Sequence, residues 1–159
     1  MDKRLNILIV EDEYISGILL ESLLAPYGRC RLVKNGREGL AILSDSFQNG
    51  SPRYDLVLLD LELPGMSGHE ILKEIRRLEQ EENPIGTEMV KVVVVSSLDD
   101  SRNILEALAI GRCQAYLAKP PTARRIAELL EQFQLIEPSS GKIPPPDYRE
   151  AVWSRVRSN

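Results

Sequence analysis

The sequence predicts an α/β fold built on a doubly wound, five-stranded parallel sheet. Short, mainly apolar runs at Leu5 to Val10, Leu56 to Leu59, Val92 to Val95 and Tyr116 to Ala118 are long enough for buried strands and too short for most helices. Segments with helical periodicity separate them, and parallel neighbours require such crossovers. The runs end on Glu11-Asp12, Asp60, Ser96 and Lys119. Ligand sites of open parallel sheets lie beyond the carboxyl ends of the strands, so three acids, a hydroxyl and a lysine are expected around one crevice.

The first strand leads into a helical pattern from about Tyr14 to Ala25, where Ile15, Leu19 and Leu23 recur every four residues with Ile18 alongside; Pro26 and Gly28 stop it. Cys30 to Lys34 reads as a shorter, more polar strand. Asn35-Gly36 turns the chain into a helix whose Leu40, Leu43 and Phe47 share a face, and Gln48 to Arg53 is a loop. After the third strand, LELPGMSG opens a helix with Ile71, Ile75 and Leu78 on one side, which runs out in the charged stretch Glu79 to Glu82. Asn83-Pro84-Ile85-Gly86 breaks the pattern, and the fourth strand begins near Lys91. Asp99, Asp100 and Ser101 suit the start of a helix that carries Ile104, Leu105 and Leu108 and closes at Gly111. From about Thr122 to Gln134 the last helix places Ile126, Leu129, Leu130 and Phe133 on a core-facing stripe. The second and fifth strands are the least uniformly apolar, as edge strands tolerate. An order of 2-1-3-4-5 follows, with the switch point between strands one and three and Glu11-Asp12 beside Asp60.

At 159 residues, 43% of them apolar, the chain fits one domain with a short appendage and has no room for a second catalytic domain. A net charge of −4 argues against direct nucleic-acid binding, which needs a basic face. No apolar run approaches the ~20 residues that span a bilayer. The start MDKRLNILIVEDE meets acids without a cleavage-like site, so neither membrane insertion nor a leader is expected. Cys30 and Cys113 have no CxxC spacing and no histidine cluster, and read as small buried residues in a reducing cytoplasm. His69, the only histidine, is expected to be a solvated residue in the first turn of its helix.

Carboxylates about 5 Å apart repel by roughly 3 kcal/mol per pair at an effective dielectric of about 20, so three at one mouth require a cation. Magnesium suits them: it takes a few carboxylate oxygens, keeps several waters and favours phosphate oxygens as its other ligands. Asp12 and Asp60 are expected as direct ligands, with Glu11 acting through water. Asp60 ends the central strand and is also the expected nucleophile, since aspartate accepts phosphoryl groups covalently. Such transfer needs positive charge and donors on the equatorial oxygens. Lys119 supplies the charge; the Ser96 hydroxyl and the Ser97 backbone N–H supply donors.

In these motifs the chain resembles the receiver domain of two-component response regulators. The acid pair in ILIVEDE, the acceptor in LVLLDLELPGMSGHE, the hydroxyl in VVVVSS and the lysine in AYLAKP stand in that family's order, and the likeness extends from about Leu5 to Gln134. The resemblance implies a flavodoxin-like receiver domain over residues 1–136. It implies phosphorylation of Asp60 by a histidine kinase or a small phosphodonor, with Mg2+ held by Asp12, Asp60 and the main-chain carbonyl of Glu62. It makes Ser96 the switch hydroxyl that moves onto the phosphoryl group and Tyr116 the aromatic that swings inward behind it. The implied partners are a histidine kinase or phosphotransfer protein upstream and a protein target downstream, with a homodimer as a further option. The leading reading is a stand-alone cytoplasmic receiver, a phosphorylation-controlled binding switch or phosphorelay intermediate, and not an enzyme beyond its own phosphoryl transfer and dephosphorylation.

Some positions depart from the family's pattern. Pro121 follows Lys119-Pro120 where the family usually has an aromatic, Ser97 stands where alanine is common, and Glu62 lies two residues after the acceptor, toward the water of dephosphorylation. The loops from Gln48 to Arg53 and from Glu82 to Met89 exceed the family norm. Residues 137–159 read as a Pro-rich linker and a short amphipathic pattern, Tyr148, Val152 and Val156 with Trp153 beside them. Too short to be stable alone, that pattern either docks on the domain, a second copy or a partner, or is a frayed terminus. Two rivals remain. A haloacid-dehalogenase-like phosphatase also uses a strand-end aspartate, a Ser/Thr and a Lys, but wants an aspartate at Glu62 and its acid pair downstream of the lysine. The other rival is a receiver fragment of a larger regulator or hybrid kinase.

Overall fold

Five strands, β1 (Leu5–Val10), β2 (Gly28–Val33), β3 (Leu56–Leu59), β4 (Lys91–Ser96) and β5 (Ala115–Ala118), pair in parallel in the order β2-β1-β3-β4-β5. They belong to a computed structural model that describes residues 4–49, 53–82, 89–97 and 100–138. Helices α1 (Tyr14–Leu24), α2 (Gly36–Gln48), α3 (Gly68–Glu82), α4 (Ser101–Leu105) and α5 (Ala123–Gln132) alternate with the strands. The predicted fold class, strand order and edge strands are all present. The amphipathic pattern of the tail and most of the loop from Glu82 to Met89 lie outside the described residues.

Strand side chains alternate between two cores, as a pleat with period two demands. Leu5, Ile7, Ile9, Leu56, Leu58, Val93, Val95 and Leu117 face one side, where Leu20, Leu23 and Leu24 of α1 and Ile126, Leu129 and Leu130 of α5 cover them. Leu8, Val10, Val57, Leu59, Val92 and Val94 face the other, under Leu43 of α2 and Ile71, Leu72 and Ile75 of α3. Side-chain caps fix the helix starts: Asn35 accepts the Glu38 N–H at 2.9 Å, Asp100 that of Asn103 at 2.9 Å, and Thr122 that of Arg125 at 3.2 Å.

Several local expectations are corrected. Gly28 does not stop α1; it opens β2 opposite Leu5, and a Cβ there would overlap the Leu5 carbonyl. Ile15 is exposed rather than core-facing, and Ile18, Leu20, Leu23 and Leu24 do the packing. The fourth helix departs furthest. It passes directly from α4 into a π-helical segment, Glu106–Ile110, and its Leu105 and Leu108 are 63% and 40% exposed. Ile71, Leu72, Ile75, Val92 and Val94 already close that side of the sheet, so Ala107 and Cys113 suffice to complete it. His69 is not solvated: its side chain is 14% exposed and lies against the α4 region.

Arg76 gave no signal in the sequence, yet it is 4% exposed in α3. Its guanidinium donates to the carbonyls of Val90 at 3.0 Å and Arg112 at 2.8 Å, to Gln114 Oε1 at 3.0 Å and to Glu79 at 3.1 and 3.0 Å. Burial lowers its pKa and the Glu79 carboxylate opposes that shift. One planar fork thus ties α3 to the starts of β4 and β5. Arg76→Ala would take the guanidinium from the carbonyls of Val90, Gly111 and Arg112 and leave the Glu79 carboxylate without its counter-charge. The expected loss is about 3–5 kcal/mol, read as a lower urea midpoint.

Candidate functional site

Sheet register builds the site. Val10 pairs with Leu59, Leu59 with Val94 and Ser96 with Ala118, so the residues just past the strands stand side by side. Backbone bonds extend the ladders one step further. The N–H of Glu11 reaches the Val33 carbonyl at 3.0 Å, that of Asp60 the Val10 carbonyl at 3.1 Å, and that of Lys119 the Ser96 carbonyl at 3.0 Å. Helix α3 starts directly against this edge, because Gly68 donates its N–H to the Leu61 carbonyl at 2.9 Å and a Cβ there would overlap the Asp60 carbonyl.

Glu11, Asp12 and Asp60 bring carboxylate oxygens within 4.8 Å of one another; Glu11 and Asp60 are buried and Asp12 is exposed. Lys119 Nζ lies 2.7 Å from Glu11 Oε2 and 3.0 Å from Asp60 Oδ2. The second oxygen of Asp60 accepts the Glu62 N–H at 3.0 Å, and the second of Glu11 accepts the Glu13 N–H at 3.1 Å. Glu11 Oε2 is buried and meets the ammonium as a close ion pair. One ammonium among three carboxylates leaves negative charge in excess. An all-oxygen donor set with negative charge in excess fits a hard divalent cation.

Burial raises the pKa of Glu11 above the usual carboxylate value; Lys119 opposes that shift and the charge of Asp60 reinforces it. For Lys119, burial acts downward, but the Glu11 and Asp60 carboxylates outweigh it and the net shift is upward. A cavity of about 530 Å³ opens over these groups, lined also by Glu62, Ser97 and Pro121. Ser97 donates its hydroxyl to Glu62 Oε2 at 3.0 Å across the mouth.

Of the residues singled out from the sequence, Glu11, Asp12, Asp60, Glu62, Ser97 and Lys119 line this one cavity. Ser96 is fully buried and is not among its lining, and Tyr116 is half-buried against the core under α2 and α3. The Ser97–Glu62 bridge was not legible, because it joins two loops far apart in sequence. Pro121, where the family usually has an aromatic, sits on the cavity wall after a cis Lys119-Pro120 bond.

The raised pKa of Glu11 has a definite sign for stability. The folded state binds that proton more tightly than the unfolded chain, so stability falls as pH rises from the ordinary carboxylate value through the higher folded one. Lys119 acts at the other end of the scale: its contribution is full below the ordinary lysine value and is lost as pH rises through the folded one. Glu11→Gln removes the acid-side step. In urea midpoints compared from about pH 4 to about pH 7, the wild type should lose ground against Glu11→Gln as pH rises.

Comparison with known proteins returns one family. The response regulator receiver domain model matches residues 7–131. The two-component response regulator ORR41 of Oryza sativa subsp. japonica is 26% identical over 133 residues, covering 84% of this chain and 97% of that protein. Sporulation initiation phosphotransferase F of Bacillus subtilis is 30% identical over 129 residues, covering 80% of this chain and 92% of that protein. Other matched relatives are longer, and the chain spans about half of their length or less. Among solved structures, the receiver domain of the histidine kinase CKI1 from Arabidopsis thaliana, complexed with Mg2+ and BeF3−, is 23% identical. It superposes with a TM-score of 0.70 over 82% of this chain and 89% of that one, a likeness of fold.

Proposed function

The chain belongs to the response regulator receiver-domain family, and from that premise we propose that Asp60 is its phospho-acceptor, with Mg2+ held by Glu11, Asp12, Asp60 and the Glu62 carbonyl. The observation that carries the reading is the Asp60 carboxylate itself. It is 4% exposed, borders an open cavity, and has Lys119 on one oxygen and the Glu62 N–H on the other.

An Asp60 oxygen attacks the phosphorus of a phosphohistidine or an acyl phosphate. The new P–O bond forms as the bond to the donor's nitrogen or oxygen breaks, and the donor keeps that electron pair. When bound, Mg2+ neutralises charge on the acidic cluster and the incoming phosphoryl oxygens. Lys119 exchanges its contact with the Asp60 carboxylate for one with a phosphoryl oxygen, and the Ser97 N–H adds a donor. The buried Ser96 hydroxyl turns toward the group, and Tyr116 follows into the space behind it. Glu62, held by Ser97, stands where hydrolytic water would approach.

The chain is a receiver domain of two-component signalling, and the haloacid-dehalogenase-like alternative is not favoured. Beyond that, our reading is a cytoplasmic phospho-switch that is no enzyme outside its own phosphoryl chemistry, charged by a histidine kinase or phosphotransfer protein and read by a downstream protein. Homodimerisation, and a place as one segment of a larger regulator, are compatible with it. Leu135 and Ile136 pack against the core beyond α5, which supports a domain boundary at residue 136, with 137–159 as a separate linker and tail.

Two experiments test this assignment. With Mg2+ and acetyl phosphate, intact mass should show one added phosphoryl group on the wild type and none on Asp60→Asn. Equal uptake by the variant refutes the acceptor, and steady turnover of a phosphate monoester without phosphoprotein favours the phosphatase. Separately, Mg2+ alone should raise the unfolding free energy by about 2.7 kcal/mol at about 100 times its Kd, read from urea titrations, and Asp12→Asn should lose most of that gain.

A further inference from the structure

Residues 101–110 are held to the domain in an uncommon way. Ala107 is the buried one among them, while Leu105, Leu108 and Ile110 face solvent. The segment therefore lacks the apolar anchorage that fixes the other helices. Polar contacts from two side chains of α3 replace it. His69 and Arg76 are seven residues apart, about two helical turns, so both lie on one side of α3. Arg76 takes the far end of the segment, bonding the carbonyls of Gly111 at 3.4 Å and Arg112 at 2.8 Å. His69 takes the near end. Its Nε2 lies 2.9 Å from Asn103 Oδ1 and 3.6 Å from Glu106 Oε2.

The direction of the His69 bond follows from its neighbour. The side-chain amide nitrogen of Asn103 donates to Asp100 Oδ2 at 2.6 Å, so its oxygen is the acceptor toward His69, and the imidazole proton sits on Nε2. The two clamps differ in strength. Arg76 is buried and holds backbone at several points, whereas His69 makes a bond and a longer contact with the Glu106 carboxylate. The position of His69 also matters. It follows Gly68, which abuts the Asp60 backbone, and Asn103 belongs to the helix that follows Ser96-Ser97. The His69–Asn103 bond therefore joins the start of α3, which abuts Asp60, to the element after the serine pair.

We propose that His69 is a positioning residue for the phosphoryl site: it latches α4 to α3 in the arrangement described here, and it must release before the Ser96 segment closes on a phosphoryl group at Asp60. Arg76 is the hinge that stays. In the latched arrangement Lys119 pairs with the Asp60 carboxylate and Ser96 stays off the cavity wall. The inference rests on the receiver reading for its consequence at Asp60, but the latch itself is a property of α3 and α4.

Loss of the latch should favour the closed arrangement by about the worth of one hydrogen bond, roughly fivefold. His69→Ala should therefore bind beryllofluoride with Mg2+ about fivefold more tightly than wild type, and amide exchange at residues 101–110 should quicken while the sheet stays protected. His69→Gln, which keeps an N–H donor, should restore both properties toward wild type. Asn103→Ala is the second variant, read should His69→Ala not fold, and the double variant should add nothing to either single one. A folded His69→Ala with unchanged or weaker beryllofluoride affinity, or with unchanged exchange at 101–110, overturns the latch. Failure of the wild type and all variants to take beryllofluoride is instead a failure at Asp60, and the exchange arm then decides the latch alone.

Discussion

Charge balance at the carboxyl edge of the sheet is the constraint on which the other features depend. Parallel register forces Glu11, Asp12 and Asp60 into one small space, and their mutual repulsion grows as water is excluded. Lys119 relieves part of it by contacting Glu11 and Asp60 together. That ammonium is in turn placed by the end of β5, whose backbone bond to Ser96 fixes how far the lysine can reach. What remains is a pocket of three carboxylates around one ammonium, whose negative excess suits a divalent cation. Structure and reactivity share one cause here, since the arrangement that is poorly balanced when empty of charge partners is the one best prepared for them.

Around that edge, the two sides of the domain are built differently. On one side α1 and α5 bury continuous apolar stripes against the sheet, and nothing there has freedom to shift without losing hydrophobic contact. On the other side α2 and α3 are packed in the same fashion, but the α4 segment is secured by polar side chains from α3. A helix held by hydrogen bonds to another helix changes position at lower cost than one that must withdraw leucines from a core. The exposed Leu105, Leu108 and Ile110 are the other half of the same fact: a surface presented by this segment alters whenever its anchor alters.

The loops show how a common framework acquires individual chemistry. Ser97 and Glu62 close a hydrogen bond over the cavity, and Pro121 forms part of its wall.

The short, mainly apolar runs of β1, β3 and β4 were enough to set the fold, because strands of a parallel sheet covered on both faces are apolar on both sides. The strand-end position of Glu11, Asp12, Asp60 and Lys119 was enough to locate the site, since side chains one step past paired strands must lie together. The sequence could not indicate that Arg76 is buried, that His69 meets Asn103, or that Leu105 and Leu108 stay in solvent. Helical periodicity records which residues share a face and is silent on whether that face finds a partner. In this domain Ile71, Leu72 and Ile75 had already filled the space that the fourth helix would have claimed, and only the assembled tertiary structure settles such a competition. Local pattern determined the sheet and the acidic edge; packing order between distant segments decided which helix was left to polar clamps.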